Sequence, residues 1–552
     1  MSRLTLVLAI LAILPGCARQ PDTTSTSPRA PLYNDLGSQH HEITTSSPDA
    51  QRYFDQGLRL SYAFNHGEAI RAFRQAAALD PDCAMCSWGV AFALGPNINA
   101  PITPEAAKEA FTAIGEARTR AARASAREQA YIAALARRYA ADPAAERAPL
   151  DAAYAEAMRE LVKAYPDDLD AATLFAQSLM DTSPWNYWNA DGSPRQHTGE
   201  VLSSLESVLK RNPDHIGAIH LYIHAVEASP DPGRAAAYAD RLPALTPGAG
   251  HLVHMPAHIQ LRTGRYHDAS RANEDAIKVD EAYLAGDRAP GNMTYEIGYY
   301  PHNIHFFVTT ASMEGRRADA LRAADEVRAK VHADMLRDPA MGGMMQHLQL
   351  TPLFAKLRFA LWDAVLAEPA PAEDLRYARS IWHAARTIAH AATGNFAEAE
   401  KDRAAVAAIK DHETLKALYV SGVNTASAVA AIAYEAASGE QRARQKRAGE
   451  AARHFAAAVA LEDGLTYMEP PDWPIPVRQM QGAALLALGR AADAETAFRG
   501  DLRKFPMNGW SLSGLHASLQ QQRRTAEAAT VAAELERSWA RADVQLQAGR
   551  TR

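Results

Sequence analysis

The sequence predicts an all-α protein, an α-α superhelix of stacked helix pairs. Three observations predict it. Alanine is abundant and β-branched runs are scarce, which favours helix. A pattern of aromatic, small and proline residues returns at about 34-residue intervals, a period at which helix pairs stack into solenoids. A chain of 552 residues is also long for one globular core, so a repeat array or several domains are expected. The net charge of −6 gives no reason to expect nucleic acid as a partner.

The chain opens with one arginine and an apolar run too short to span a bilayer as a stable helix. Residues 1–17 therefore read as a secretory signal. Leu14-Pro15-Gly16-Cys17 resembles the bacterial lipobox. The resemblance implies a lipoprotein signal peptide, with lipid on Cys17 as the only contact with a membrane. Ala18 after the cysteine implies an exported protein on the outer membrane, facing the periplasm. The alternative is ordinary cleaved secretion. Residues 18–48 are rich in Ser, Thr, Pro and Asp and read as a flexible, solvated tether.

From Tyr53 onward, Tyr53, Gly57, Ala69, Phe73, Ala76 and Pro81 fall on the aromatic, small and proline places of the tetratricopeptide repeat (TPR), which the segment resembles. The frame recurs with repeat endings at Pro166, Pro213 and Pro247. It recurs again at turns beginning with Gly264, Gly315, Gly394 and Gly489. Residues 49–180 are expected as N-terminal repeats, 181–350 as central repeats with a histidine-rich groove, and 351–552 as C-terminal repeats. Aromatic or proline-rich segments near residues 95–101, 181–188, 288–295 and 469–476 break the frame. They read as loop insertions over the concave face. Cys83 and Cys86 allow a disulfide in an oxidising compartment, a soft-metal pair, or simple burial between helices.

The stretch most suggestive of function is residues 216–307. It contains Ile216-Gly-Ala-Ile-His220-Leu-Tyr-Ile-His224-Ala-Val-Glu227, His251-Leu-Val-His254-Met-Pro-Ala-His258 and His302-Asn-Ile-His305. Residues spaced by three, four or seven share one face of a helix. Pro256 predicts a kink within the second piece. If repeats begin at Ile216, Gly250 and Pro301, the resemblance implies that His220, His224, Glu227, His251, His254, His258, His302 and His305 face the groove. His347 falls on such a place in a less regular frame, whereas His383 and His390 fall on packing places. Glu296 and Glu469 are further candidate ligands or acid/base groups from the loops.

Neutral imidazole is a ligand for zinc, copper and iron, so a His/Glu cluster on adjacent helices predicts a bound transition metal of unassigned identity. Its role can be structural, storage or catalytic, and hydrolysis and oxidation both remain open. The alternative is a TPR interaction module that binds a peptide or an envelope protein in the groove without metal. No glycine-rich phosphate loop, nucleophile elbow or His-Glu-x-x-His motif is present. Tyr62-Ala-Phe-Asn-His66, Gly95-Pro-Asn-Ile-Asn99, His254-Met-Pro-Ala-His258 and His302-Asn-Ile-His305-Phe resemble a group of bacterial tetratricopeptide proteins. That resemblance implies the fold and export, and no particular reaction.

Overall fold

Helix endings follow directly from the prolines. Helices close at Leu79, Ala164, Arg211, Leu245 and Lys504, each two residues before Pro81, Pro166, Pro213, Pro247 or Pro506. A residue before proline is pushed out of the helical region, and proline itself lacks the amide hydrogen that would continue the ladder. Helix starts are capped by short polar side chains. Asn65 accepts from the Glu68 amide, Asp168 from Ala171, and His215 from Ala218. Gly264, Gly315, Gly394 and Gly489, all placed in inter-helix turns by sequence, have φ between 75° and 81°. A side chain there would force a strained left-handed backbone.

A computed structural model describes residues 29–288 and 292–551. The signal peptide and Cys17 lie outside the described residues. The described chain is mostly helical, and among the described residues its strands form one short antiparallel hairpin pairing Leu546–Gln547 with Arg550–Thr551. Successive helices pack on one another, and alternate ones also touch. Leu169–Asp181 meets Ile216–Val226, and Arg376–Ala392 meets Ala426–Arg444. Such stacking makes an α-α superhelix of helix pairs. The small repeat positions have a visible purpose. The Phe73 ring lies where a Cβ on either Gly57 or Gly89 would stand, so both glycines let helices close on one aromatic residue. No described helix is long and apolar enough to cross a membrane.

Two sequence expectations change. The described part of the expected tether, residues 29–47, is packed rather than solvated. Ala30, Leu36, His41 and Ile43 are buried. The segment has little apolar surface, and side chains of neighbouring helices hold it by hydrogen bonds instead. The Tyr53 hydroxyl donates to the Ala30 carbonyl at 2.6 Å, Gln56 Oε1 accepts from the Tyr33 amide at 2.8 Å, and His41 Nδ1 lies 2.8 Å from Asp170 Oδ2. The histidine-bearing face is likewise not an open groove. The Pro48–Tyr62 helix packs on Ile216–Val226. From the C-terminal side, Tyr266 donates to the Pro506 carbonyl and Trp510 Nε1 to the Ser312 carbonyl. The superhelix turns back on itself and fills its own interior. The apolar core divides into two large clusters, one ending at Tyr299 and the other beginning at Tyr300, beside the histidines.

Candidate metal centre

Three helical stretches deliver the imidazoles. Ile216–Val226 carries His220 and His224 one turn apart. Gly250–His254 and Pro256–Arg262 carry His251, His254 and His258, with Met255 and Pro256 interrupting the helix where the sequence placed a kink. A π-helical turn at Thr294–Tyr299 leads into Tyr300–Glu314, which carries His302. Single π turns often mark functional sites. Gly217 fixes the first helix, because a Cβ there would run into the Tyr62 ring. That close approach lets the Tyr62 carbonyl accept from His220 Nδ1 at 2.6 Å.

The imidazoles gather at two points. His220, His224 and His251 form one triad, and His254, His258 and His302 the other; in each, ring nitrogens lie within 4.8 Å of one another. In the first, Nε2 of His220 and Nε2 of His251 are 3.1 Å apart, and Nε2 of His224 has no partner. In the second, His254 Nε2 lies 2.8 Å from His258 Nε2 and 3.1 Å from His302 Nε2. Each triad has its own phenyl ring. Phe64 has ring contacts with His220, His224 and His251, and Phe306 with His254, His258 and His302.

Hydrogen bonds behind the rings decide which nitrogen faces inward. His220 Nδ1 meets a carbonyl, and His224 Nδ1 and His258 Nδ1 meet the two oxygens of Glu227 at 2.7 Å each. His254 Nδ1 meets Asn273 Oδ1 at 2.7 Å, and Asn273 is oriented by donating its own amide to the Ala269 carbonyl. All four partners only accept, so all four imidazoles carry hydrogen on Nδ1 and turn Nε2 inward. The 2.8 Å approach of His254 Nε2 to His258 Nε2 would otherwise oppose two lone pairs, so a cation belongs between them, a proton or a metal. Burial holds His220, His251 and His254 well below the usual imidazole range and takes His302 down to about 3. His224 is lowered by burial, with Glu227 opposing. These rings are neutral near pH 7, the form that binds metal. His258 is the exception: burial lowers it, but Glu227 and Glu469 outweigh burial and raise it.

Glu227 thus stands behind the ligands. Its distances also admit a His224, Glu227 and His258 set. Both its oxygens already accept from Nδ1 hydrogens, so outer support is the role its bonds describe. Glu469, from the expected loop, reaches His258 Nδ1 at 3.2 Å, and burial pushes its carboxyl up. Three expectations fail. His305 joins neither triad; its ring lies beside that of His347, 5.7 Å away between centroids. His347 bonds the Tyr377 hydroxyl instead of joining the centre. Glu296 pairs with Arg288, and both are partly exposed.

Residues that sequence reasoning missed close the centre. Phe64 and Trp185 both contact triad rings, Trp185 lying 5.1 Å from His224, and both have left-handed backbones, with φ of 54° and 63°. Non-glycine residues in that region cost about 1–3 kcal/mol and gather where function holds them. The sequence places Trp185 in a segment expected over the concave face and Phe64 in the Tyr62–His66 motif, but does not mark their contact with the histidines. A further His41, Asp168 and Asp170 group also has metal-ligand spacing. Asp170 there is saturated by His41, His215 and Tyr62, so the group ties residues 29–47 to the repeats. Cys83–Cys86 is a disulfide, which removes the soft-metal alternative in this state. A cavity of about 490 Å³ near Arg358 and Trp510 is lined by none of the expected ligands.

No family model matches the sequence, and no curated protein matches it. Among solved structures, a human IFIT1 dimer with m7Gppp-AAAA is 11% identical over 90% of this chain and 91% of that one, with a TM-score of 0.31. Yeast Tom70 is 12% identical over 89% and 93%, with a TM-score of 0.25. A Naa15/Naa10 structure bound to HypK-THB is 11% identical over 89% and 74%, with a TM-score of 0.20. At such scores the fold rests on the helix pairing itself.

Proposed function

We propose that this chain is a metalloprotein whose helical superhelix holds transition-metal ions in two three-histidine sets. The observation that supports this reading is the fixed tautomer of four imidazoles, which turns Nε2 of His220, His224, His254 and His258 inward. Three-imidazole sets leave coordination positions open for water or another small ligand. Burial of the histidine face disfavours the alternative of a peptide lying along it. The lipobox-like Leu14-Pro15-Gly16-Cys17 and the disulfide support an exported, lipid-anchored protein, and mass analysis of the mature N-terminus tests that part.

Elemental analysis of untagged protein is the test of the metal reading. Bound metal is expected, and His254→Ala should lower it while helical circular dichroism persists. Protein that is metal-free and shows no change in melting temperature with zinc, copper or iron overturns the reading.

A further inference from the structure

We propose that the cavity beside Arg358 and Trp510 is a second binding site, one for a small organic acid: a carboxylate on an apolar body. It stands apart from the metal reading, since none of the clustered histidines lines it. The cavity measures about 490 Å³, within the range of about 300–1,000 Å³ usual for small-molecule sites. Thr351–Arg358, Ala426–Arg444, Val477–Ala487 and Gly509–Gln521 bring side chains to it, and the hairpin of residues 546–551 supplies a further wall.

Arg358 selects an anion. Its guanidinium carbon lies 3.8 Å from the centre of the Trp510 ring. Nη1 donates to Gln479 Oε1 at 2.6 Å, and Nη2 meets the Met313 sulfur, a weak acceptor, at 4.0 Å. Among the described residues no carboxylate pairs with it. Asp501 lies on the far side of Gln479, accepting from Nε2 at 2.8 Å, and so stands one side chain away. Burial takes Arg358 down to about 9, with Asp501 opposing. A guanidinium in such surroundings lacks the carboxylate that would balance it, and its planar fork of donors matches one. The other charged residues of the lining add to the imbalance. Glu440 is held by Arg550 Nη2 at 2.6 Å, and Arg444 Nε lies 3.8 Å from its second oxygen. Three arginines against one glutamate leave the described lining positive.

The walls select the rest of the ligand. Leu357, Ile388, Ile475, Met480 and Leu486 give the cavity an apolar surface around those charges. Arg444 and Ala487 are exposed, so the cavity opens to solvent on their side. Inorganic phosphate would answer the arginines and leave the apolar walls wet. A hydrocarbon would cover the walls and leave Arg358 without an anion. A carboxylate carried on an apolar body meets both demands.

The test titrates the full chain by calorimetry with octanoate, and with 1-octanol as the same body without the charge. Octanoate should bind at one site per chain and more tightly than 1-octanol. Arg358→Met keeps an apolar side chain against Trp510 and removes the charge. It should weaken octanoate about ten- to a hundredfold, the worth of a hydrogen bond to a charged group, and leave 1-octanol unchanged. Ala487→Trp plugs the mouth from an exposed position and should abolish binding of both, with the helical circular dichroism of wild type. The acid site is overturned if octanoate does not bind, or binds no better than 1-octanol. It is equally overturned if Arg358→Met or Ala487→Trp binds octanoate as wild type does, or if an equal concentration of inorganic phosphate displaces it.

Discussion

Replacing Glu227 by glutamine separates the two triads by chemistry alone. The carboxylate gives Oε1 to His224 and Oε2 to His258, each at 2.7 Å. A glutamine keeps one accepting oxygen, and its amide nitrogen donates. One imidazole therefore keeps its anchor, and the other meets N–H with N–H and must turn or change tautomer. Loss of such an outer partner weakens metal binding about ten- to a hundredfold, or about 1.4–2.8 kcal/mol. The expected outcome of Glu227→Gln is asymmetric: one ion is weakened by about that factor more than the other. Glu227→Ala weakens both. Chelator competition with Cu(I), and with zinc in parallel, resolves the two affinities. If both ions in Glu227→Gln leave at the chelator concentrations of the wild type, Glu227 does not orient the ligands and the tautomer argument falls.

Other consequences can be measured independently. Gly217→Ala should cost about 1–3 kcal/mol in urea unfolding through overpacking against Tyr62, and should weaken metal binding because the carbonyl holding His220 moves. Asp170→Asn keeps only one accepting oxygen, so one of His41 and His215 meets an amide donor and the buried charge is lost; it should cost about 3–5 kcal/mol and expose residues 29–47 to protease. Burial raises Asp170, but hydrogen bonds from His215 and His41 outweigh it and hold Asp170 well below the usual range, so its contribution is present above that range and lost as pH falls. Burial lowers His41, but Asp170 outweighs it and raises the pKa, so its share is complete below its ordinary value and lost as pH rises through the folded one. Glu462 is pushed up by burial to about 7 from an ordinary 4.5, so its ionisation should cost the fold about 3 kcal/mol, absent below 4.5 and complete above 7. The stability difference between wild type and Glu462→Gln should therefore change with pH across that interval, and a flat difference contradicts it.

Much of the fold was legible because it is locally determined. A proline stops its own helix and a turn glycine takes its own φ, so Pro213, Pro247, Gly264 and Gly315 place helices with no knowledge of their neighbours. The histidine face was legible for the same reason, since spacings of three and four fix which side of a helix a residue occupies. The partition was not legible. His251 and His254 lie on one face, yet join different triads because each meets a different neighbouring helix. His305 and Glu227 show the same limit: helical spacing puts them near the face, and only the crossing of helices excludes the first and sets the second behind the ligands. Trp185 was expected in a loop over the concave face and Phe64 stood in the Tyr62–His66 motif, but their left-handed backbones and ring contacts were not legible, because distant packing imposes them.

Gly250–His254 and Pro256–Arg262 form a wall common to both half-sites, with His251 serving one and His254, nearly a turn further along the same face, serving the other. One helical turn, about 5.4 Å of rise, therefore acts as the ruler for the distance between the halves. Main-chain bonds such as Met255 amide to His251 carbonyl, at 3.2 Å, keep that ruler rigid. Substitutions in the aromatic layer can retune how tightly each half grips its cargo, yet the gauge between halves stays that of the backbone.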